Sequence, residues 1–315
     1  MELNKVYHLD FLNNDLPDKC AKLIIADPPY YKTKGAFDFI WKTFDYYLID
    51  VEKWCLECKR ILADNGTLLW YGDAKNIAYS QIIFDKHFNL INSVVWENTN
   101  QAKQSMVNVE EYRSFPPLTE RILIYSNEED NFVVDHLQKY LLSEFIKCAK
   151  PVSFYKKLCG FTGNQPYNWF TPKNNGSAQW AFPKKEHYIK LSVTGFFLKE
   201  YEELKAEYEE LKAKHEELRR PFNNIYKVGD VIRLPNYETS DYDHDTIKPE
   251  KLTRILITTC SRENDLVIVP FAGSGTECAM SAKEKRAFIG YEITKKHAEM
   301  SQKRANKILS EPTMF

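Results

Sequence analysis

Lys22-Leu23-Ile24-Ile25-Ala26 runs without a break into Asp27-Pro28-Pro29-Tyr30, and no other stretch limits the fold as much. The apolar residues after the lysine predict a short buried strand. Two prolines, which lack N–H donors, cannot continue a central ladder, so that strand must end at Asp27. A carboxylate, a rigid turn with free carbonyls and an aromatic ring are thereby gathered at a strand's C-terminal end. In open α/β sheets that edge is where ligands bind. A strand-ending turn with an incidental surface Tyr is the bland alternative, and a short match alone does not exclude it.

The flanking sequence alternates as such a sheet requires. Residues 6–12 read as a short strand and turn, and 45–62 as a helix halted by Asp64-Asn65-Gly66. Strands are expected at 67–71, 90–96 and 120–125, with Asp73 capping a helix over about 74–85. The rhythm returns late in the chain. Lys248-Pro249 opens a helix to Cys260, 266–269 is a buried strand, 287–291 is another closed by Glu292, and 294–309 is the final helix. Alternating strands and helices predict an α/β sheet.

Between about 130 and 235 the rhythm breaks. Residues 131–195 hold nine lysines against Asp135, Glu144 and Glu186, a local charge of +6 in a chain of net charge −1. Tyr155, Phe161, Tyr167, Trp169, Phe170 and Trp180 are interleaved with them. A solvated loop face is one reading; a phosphate-contacting surface with stacking rings is the sharper one, with Lys156, Lys157, Lys184 and Lys185 as contacts. A near-repeat of seven residues follows over 200–220, placing Leu204, Tyr208, Leu211, His215 and Leu218 on one seam that ends at Pro221. It predicts a long helix over about 197–220, packed on its own subunit, with a homodimer seam as the minority reading.

Composition sets outer limits. With 315 residues, 43% hydrophobic and 14% aromatic, the chain has ample core for a large domain carrying an insertion. Of seven cysteines only Cys55 and Cys58 form a C-x-x-C, inside a helical stretch and without a second pair. Reduced buried thiols are expected, and no metal site. The absence of a run of about 18 apolar residues and of an N-terminal signal core predicts a cytoplasmic protein off the membrane.

A second constellation lies at 266–292. A strand, the turn Pro270-Phe271-Ala272-Gly273-Ser274-Gly275-Thr276, a helix and a strand ending in Glu292 form a nucleoside-binding βαβ unit. The glycines allow close approach of the backbone to a ligand. Glu292, 17 residues after Gly275, is placed to bind ribose hydroxyls. The dinucleotide fingerprint wants a third glycine where Cys278 stands, which disfavours NAD.

Asp27-Pro28-Pro29-Tyr30, followed by an insertion and then by Phe271 to Thr276, resembles the β class of amino-methylating DNA methyltransferases, whose catalytic motif precedes the cofactor motif. Asp10-Phe11 resembles that family's acidic contact to the cofactor adenine. His244-Asp245-Thr246-Ile247-Lys248-Pro249 resembles its His-x-Thr-x-Lys-Pro element near the methionine end, and residues 56–66 its helix and turn after the catalytic motif. The resemblance implies a permuted Rossmann-like sheet from 1–130 and 235–315, with a target-recognition insertion at 131–234 containing the long helix.

It further implies S-adenosylmethionine as cofactor, held by Asp10, Phe11, Asp27, Lys248, Phe271, Ala272, Gly273, Ser274, Gly275, Thr276 and Glu292. The substrate would be double-stranded DNA, with the target base flipped over Asp27, Pro28, Pro29 and Tyr30. Asp27 and the Pro28 carbonyl would accept the amine's hydrogens while Tyr30 stacks on the base. The Asp form of the motif points to adenine N6. Cytosine N4 methylation and a catalytically dead DNA-binding relative are the alternatives, and a cognate restriction endonuclease is a partner the resemblance allows. Two departures stand out: Val269 replaces the usual Asp before Pro-Phe, and Glu120 follows Thr119 where a His is frequent, to which little functional weight is attached.

Overall fold

The computed structural model describes residues 1–32, 36–100, 113, 115, 117–127, 135–162, 165–170, 181–236 and 247–310. The chain divides into two compact units, residues 1–129 with 220–315, and residues 130–219.

The first unit is built on eight strands: β1 (Lys5–His8), β2 (Ala21–Ala26), β3 (Leu62–Asp73), β4 (Asn89–Asn98), β5 (Thr119–Ser126), β6 (Val231–Leu234), β7 (Leu266–Val269) and β8 (Ala287–Glu292). They lie in the order β1-β8-β7-β2-β3-β5-β4-β6. All neighbours are parallel except where β5 sits antiparallel between β3 and β4. The helices are α1 (Phe44–Ile61) and α2 (Ile77–Phe84) early in the chain and three more after residue 249.

Side chains alternate across β2 as a doubly covered strand requires. Leu23 and Ile25 pack on one face with Leu252, Leu256 and Met280; Ile24 and Ala26 pack on the other with Val51, Cys55 and Ile61. Cys55 and Cys58 are thus buried as apolar spacers of α1, and burial raises both thiols above their usual range. Among the described residues no helix is long and apolar enough to cross a membrane, and no group of three His, Cys, Asp or Glu is placed to hold a metal.

Two boundaries differ from expectation. Asp64-Asn65-Gly66 does not end the helix in a turn but lies inside β3, where the register against β2 shifts between Ala21 and Leu23. Residues 220–234 belong with the sheet, because β6 pairs with β4 through Val95 and Val231.

The second unit is helical: α3 (Asp135–Cys148), α4 (Val152–Cys159), α5 (Gln165–Phe170), α6 (Lys185–Ser192) and α7 (Tyr201–Leu218). Its core holds Leu141, Tyr155, Trp169, Phe170, Tyr188 and Phe197. That corrects the reading of Tyr155, Trp169 and Phe170 as stacking platforms: short helices reach a common centre only through large rings, and these rings are used there. Phe161 also packs against this core, while Trp180 and the Tyr167 side chain lie outside the described residues. Leu204 is fully buried and Tyr208 stacks on Phe182 at 4.8 Å, so the start of the heptad seam faces its own unit. The side chains of Leu211, His215 and Leu218 lie outside the description.

The last three helices, α8 (Glu250–Cys260), α9 (Thr276–Lys283) and α10 (Lys295–Leu309), complete the first unit. Their apolar faces cover the side of the sheet that carries Leu23 and Ile25.

Candidate functional site

The parallel strands β1, β2, β3, β7 and β8 end at one edge of the sheet, where their carbonyl ends turn into loops. A cavity of about 900 Å³ opens there. Its lining includes Asp10, Phe11, Asp27, Pro28, Pro29, Tyr30, Lys248, Phe271, Ala272, Gly273, Ser274 and Glu292, so these candidate residues meet at one place although they come from both ends of the chain.

The pairing of β1 with β8 brings the ends together. His8 lies opposite Glu292, and the Leu9 N–H donates to the Glu292 carbonyl at 3.1 Å. Two residues on, Asp10 accepts from the Leu12 N–H at 2.9 Å and fixes a short turn that buries Phe11. The Phe11 ring packs edge-on against Tyr291 at 5.6 Å and Phe271 at 6.4 Å. Glu292 accepts from the Gly273 N–H at 3.0 Å and the Thr294 N–H at 2.8 Å. A carboxylate has about four lone-pair sites, so acceptor capacity remains on Glu292 for a ligand.

Gly275 and Thr276 do not line the cavity. Gly275 has φ +79°, and a Cβ there would lie 2.6 Å from the Ser301 Cα. Thr276 is buried with its hydroxyl accepting from Arg304 Nη1 at 2.7 Å. Arg304 also pairs with Glu250 at 2.9 Å, so a buried guanidinium braces the back of the turn. Sequence reading missed Arg304, which lies 28 residues beyond the turn it supports.

At the end of β2 the polar groups interlock. Lys248 Nζ lies 2.8 Å from Asp27 Oδ2 and 2.9 Å from Glu120 Oε2. The Tyr30 hydroxyl donates to Asp27 Oδ1 at 2.6 Å, and the Tyr30 N–H to Asp38 at 2.6 Å. Burial opposes the Lys248 ammonium, but Asp27 and Glu120 outweigh it and raise Lys248 above the usual lysine range. Burial, then Asp27 and Glu120, raise Tyr30 as well, so its hydroxyl stays a donor.

Glu120 belongs to this cluster, which corrects the small weight given to it. Because β5 runs antiparallel, its first residues fall at the edge where β3 ends, with Glu120 opposite Asp73. Glu277 is a further member that the sequence did not single out. It lines the cavity from the first turn of α9, is 5% exposed, and has one carboxylate oxygen with no hydrogen-bond partner. Burial, and Asp27 after it, push Glu277 up to about 7.

Eight residues lining the cavity are Asp or Glu and three are Lys. Such a wall favours a ligand with a cationic part. His244, Asp245 and Thr246 lie outside the described residues. In the second unit, Lys157, Lys184 and Lys185 are exposed and Lys156 is partly so; Lys185 is paired with Glu202.

Comparison with known proteins agrees with this geometry. The N6/N4 methyltransferase family model, described as DNA methylase, matches residues 21–303. The DNA adenine methyltransferase YhdJ of Escherichia coli K12 is 22% identical over 307 residues, covering 96% of this chain and 83% of that protein. TTHA0409 of Thermus thermophilus, a candidate DNA modification methylase crystallised with S-adenosyl-L-methionine, superposes with a TM-score of 0.54 at 14% identity, covering 98% of this chain and 95% of that one. The cytosine-N4-specific PvuII DNA methyltransferase superposes with a TM-score of 0.55 at 12% identity, covering 98% and 87%. At such identities the two solved structures speak to the fold alone.

Proposed function

Because the chain belongs to the N6/N4 DNA methylase family, we propose that it transfers a methyl group from S-adenosylmethionine to the N6 amine of adenine in double-stranded DNA. The carrying observation is the meeting of Asp27-Pro28-Pro29-Tyr30 with Asp10, Phe271 to Ser274 and Glu292 in one acidic cavity.

The residues present fit that cofactor. Gly273 leaves its turn open to a ligand, Glu292 and Asp10 have acceptor capacity for ribose hydroxyls and an adenine amine, and the surplus of carboxylates suits a cation. When bound, S-adenosylmethionine supplies an electrophilic methyl group on a sulfonium sulfur.

The protein's own part is binding, orientation and proton handling. The target adenine leaves the base stack, and its exocyclic amine meets the Asp27 carboxylate and the Pro28 carbonyl as hydrogen-bond acceptors. These acceptors draw the nitrogen out of conjugation with the ring and aim its lone pair. Tyr30 keeps Asp27 Oδ1 in register and offers its ring to the base, while Lys248 holds Asp27 and Glu120 apart from each other's charge. Methylated adenine loses one amine proton, and the Asp27 carboxylate is placed to accept it. Positioning of this kind contributes about 7–11 kcal/mol to barrier reduction.

The test is incubation of the purified chain with unmethylated DNA and S-adenosylmethionine, followed by digestion to nucleosides and mass spectrometry. N6-methyladenine is the expected product. N4-methylcytosine alone would move the reading to the other base, and no methylated nucleoside on genomic DNA would refute the activity.

A further inference from the structure

Glu277 has no role in the chemistry above, yet it is the most exceptional charge in the cavity wall. It is buried, one of its oxygens lacks a partner, and it shares the wall with Asp27 and Glu120 while Lys248 is the ammonium bound to those two. A structural carboxylate in the first turn of a helix would draw on the free N–H groups and the positive end of the dipole. Its pKa would then fall. Glu277 takes a bond from its own backbone N–H, which lowers its pKa, but burial and Asp27 outweigh it and the pKa rises. Arg304, whose charge acts against the rise at Glu277 without cancelling it, bonds to Ser274, Thr276 and Glu250. Val269, where the resemblance expects a carboxylate, is buried and apolar at the end of β7, eight residues before Glu277.

We infer that Glu277 holds the α-ammonium of the amino-acid end of S-adenosylmethionine; the inference rests on the cofactor assignment above. An ammonium beside this carboxylate balances the excess negative charge around Asp27. Burial makes such a pair strong in binding although it is costly in the free protein. The residue therefore exchanges stability of the empty protein for affinity.

Isothermal titration with three ligands tests this. S-adenosylmethionine and S-adenosylhomocysteine carry the α-ammonium; 5′-methylthioadenosine has the same nucleoside and thioether without it. Glu277→Gln, which keeps shape and removes charge, is expected to weaken the first two by at least about tenfold and leave the third unchanged, so the third ligand also reports an intact site. Equal weakening of all three, or none, would overturn the role of Glu277 while leaving the cofactor reading intact. Failure of the wild-type chain to bind any of them would overturn both.

A second measurement needs no variant. Among the described residues, Asp27, Lys248, Tyr71, Cys278 and Arg304 are the charged or titratable groups that interact with Glu277. From about pH 5.5 to 7.5, below the titration of the ligand's own amine, the preference for S-adenosylhomocysteine over 5′-methylthioadenosine should rise as Glu277 ionises. A flat preference would count against the assignment.

Discussion

Among the described residues of the sheet unit Asp38, Lys248, Glu277, Arg286 and Arg304 are buried charges, and all but Arg286, which bonds Ser261, stand against the cavity or the turn behind it. In the helical unit Glu144 is the buried charge among the described residues, accepting from the Phe197 N–H and paired with Lys147, while the lysines at 157, 184 and 185 are exposed. The difference follows from what fills each core. Apolar strands and helices pack the sheet on both faces, which frees the strand ends for polar groups held in low dielectric. The helical unit spends its large rings on packing and leaves its charges in water. Substitutions of the buried charges in the first unit should therefore mix chemistry with stability, whereas those of partly exposed Asp27 and of the second unit's lysines should separate them.

The largest effect is expected at Asp27. Asp27→Ala should lower methyl transfer by about 10³-fold, within the span of a lost acid–base group. Lys248 keeps Glu120 as its partner, so the melting temperature should stay near that of the wild type. Activity within tenfold of wild type would end the assignment of Asp27 to the reaction.

Lys248→Met should show the mixing of roles. It leaves Asp27 and Glu120 facing one another half-buried with no cation between them, at a stability cost of about 3 kcal/mol by denaturant unfolding. An unchanged midpoint would mean that these carboxylates are already solvated, and the contrast between the units would weaken.

Glu277 gives a pH signature of similar size. A carboxyl group raised from its ordinary 4.5 to about 7 contributes stability that is full below about pH 4.5 and is lost as pH rises through 7. The cofactor-free protein should lose about 3 kcal/mol from this group across that window. Glu277→Gln should remove the slope, and identical slopes in the two proteins would place the titration elsewhere.

The smallest effects belong to the helical unit. If Lys156, Lys157 and Lys184 touch DNA phosphates, each Ala substitution should reduce the salt slope of binding by about one unit and leave the preferred sequence unchanged. Lys185, already paired with Glu202, should contribute less. Unfolding midpoints should not move. A loss of stability in the triple variant would show that these lysines are structural and break the distinction between the units.

What the sequence made legible was local. The strand at 266–269 falls on β7 and the one closed by Glu292 on β8, because short apolar runs between turn residues are their own signal. Asp64-Asn65-Gly66 misled because a turn signal does not distinguish a helix stop from an irregular strand entry, and pairing with β2 decided it. Glu120 was visible as a residue but not as a neighbour of Asp27, since only the antiparallel insertion of β5 carries it to that edge. Arg304 and Glu277 were hidden for the same reason: helix periodicity does not reveal that α9 and α10 converge behind one turn.

The contact of Gly275 with Ser301 restricts how this protein can drift over evolutionary time. A methyl group at 275 would meet not only the Ser301 hydroxyl but also its Cα, and trimming residue 301 to glycine would leave that Cα in place. No single second-site change can make room. The positive φ adds a strain that no neighbour relieves. Position 275 and the crossing point of α10 are therefore tied to each other by main chain, and a lineage can vary the side chains around this turn while the approach of the two backbones stays fixed.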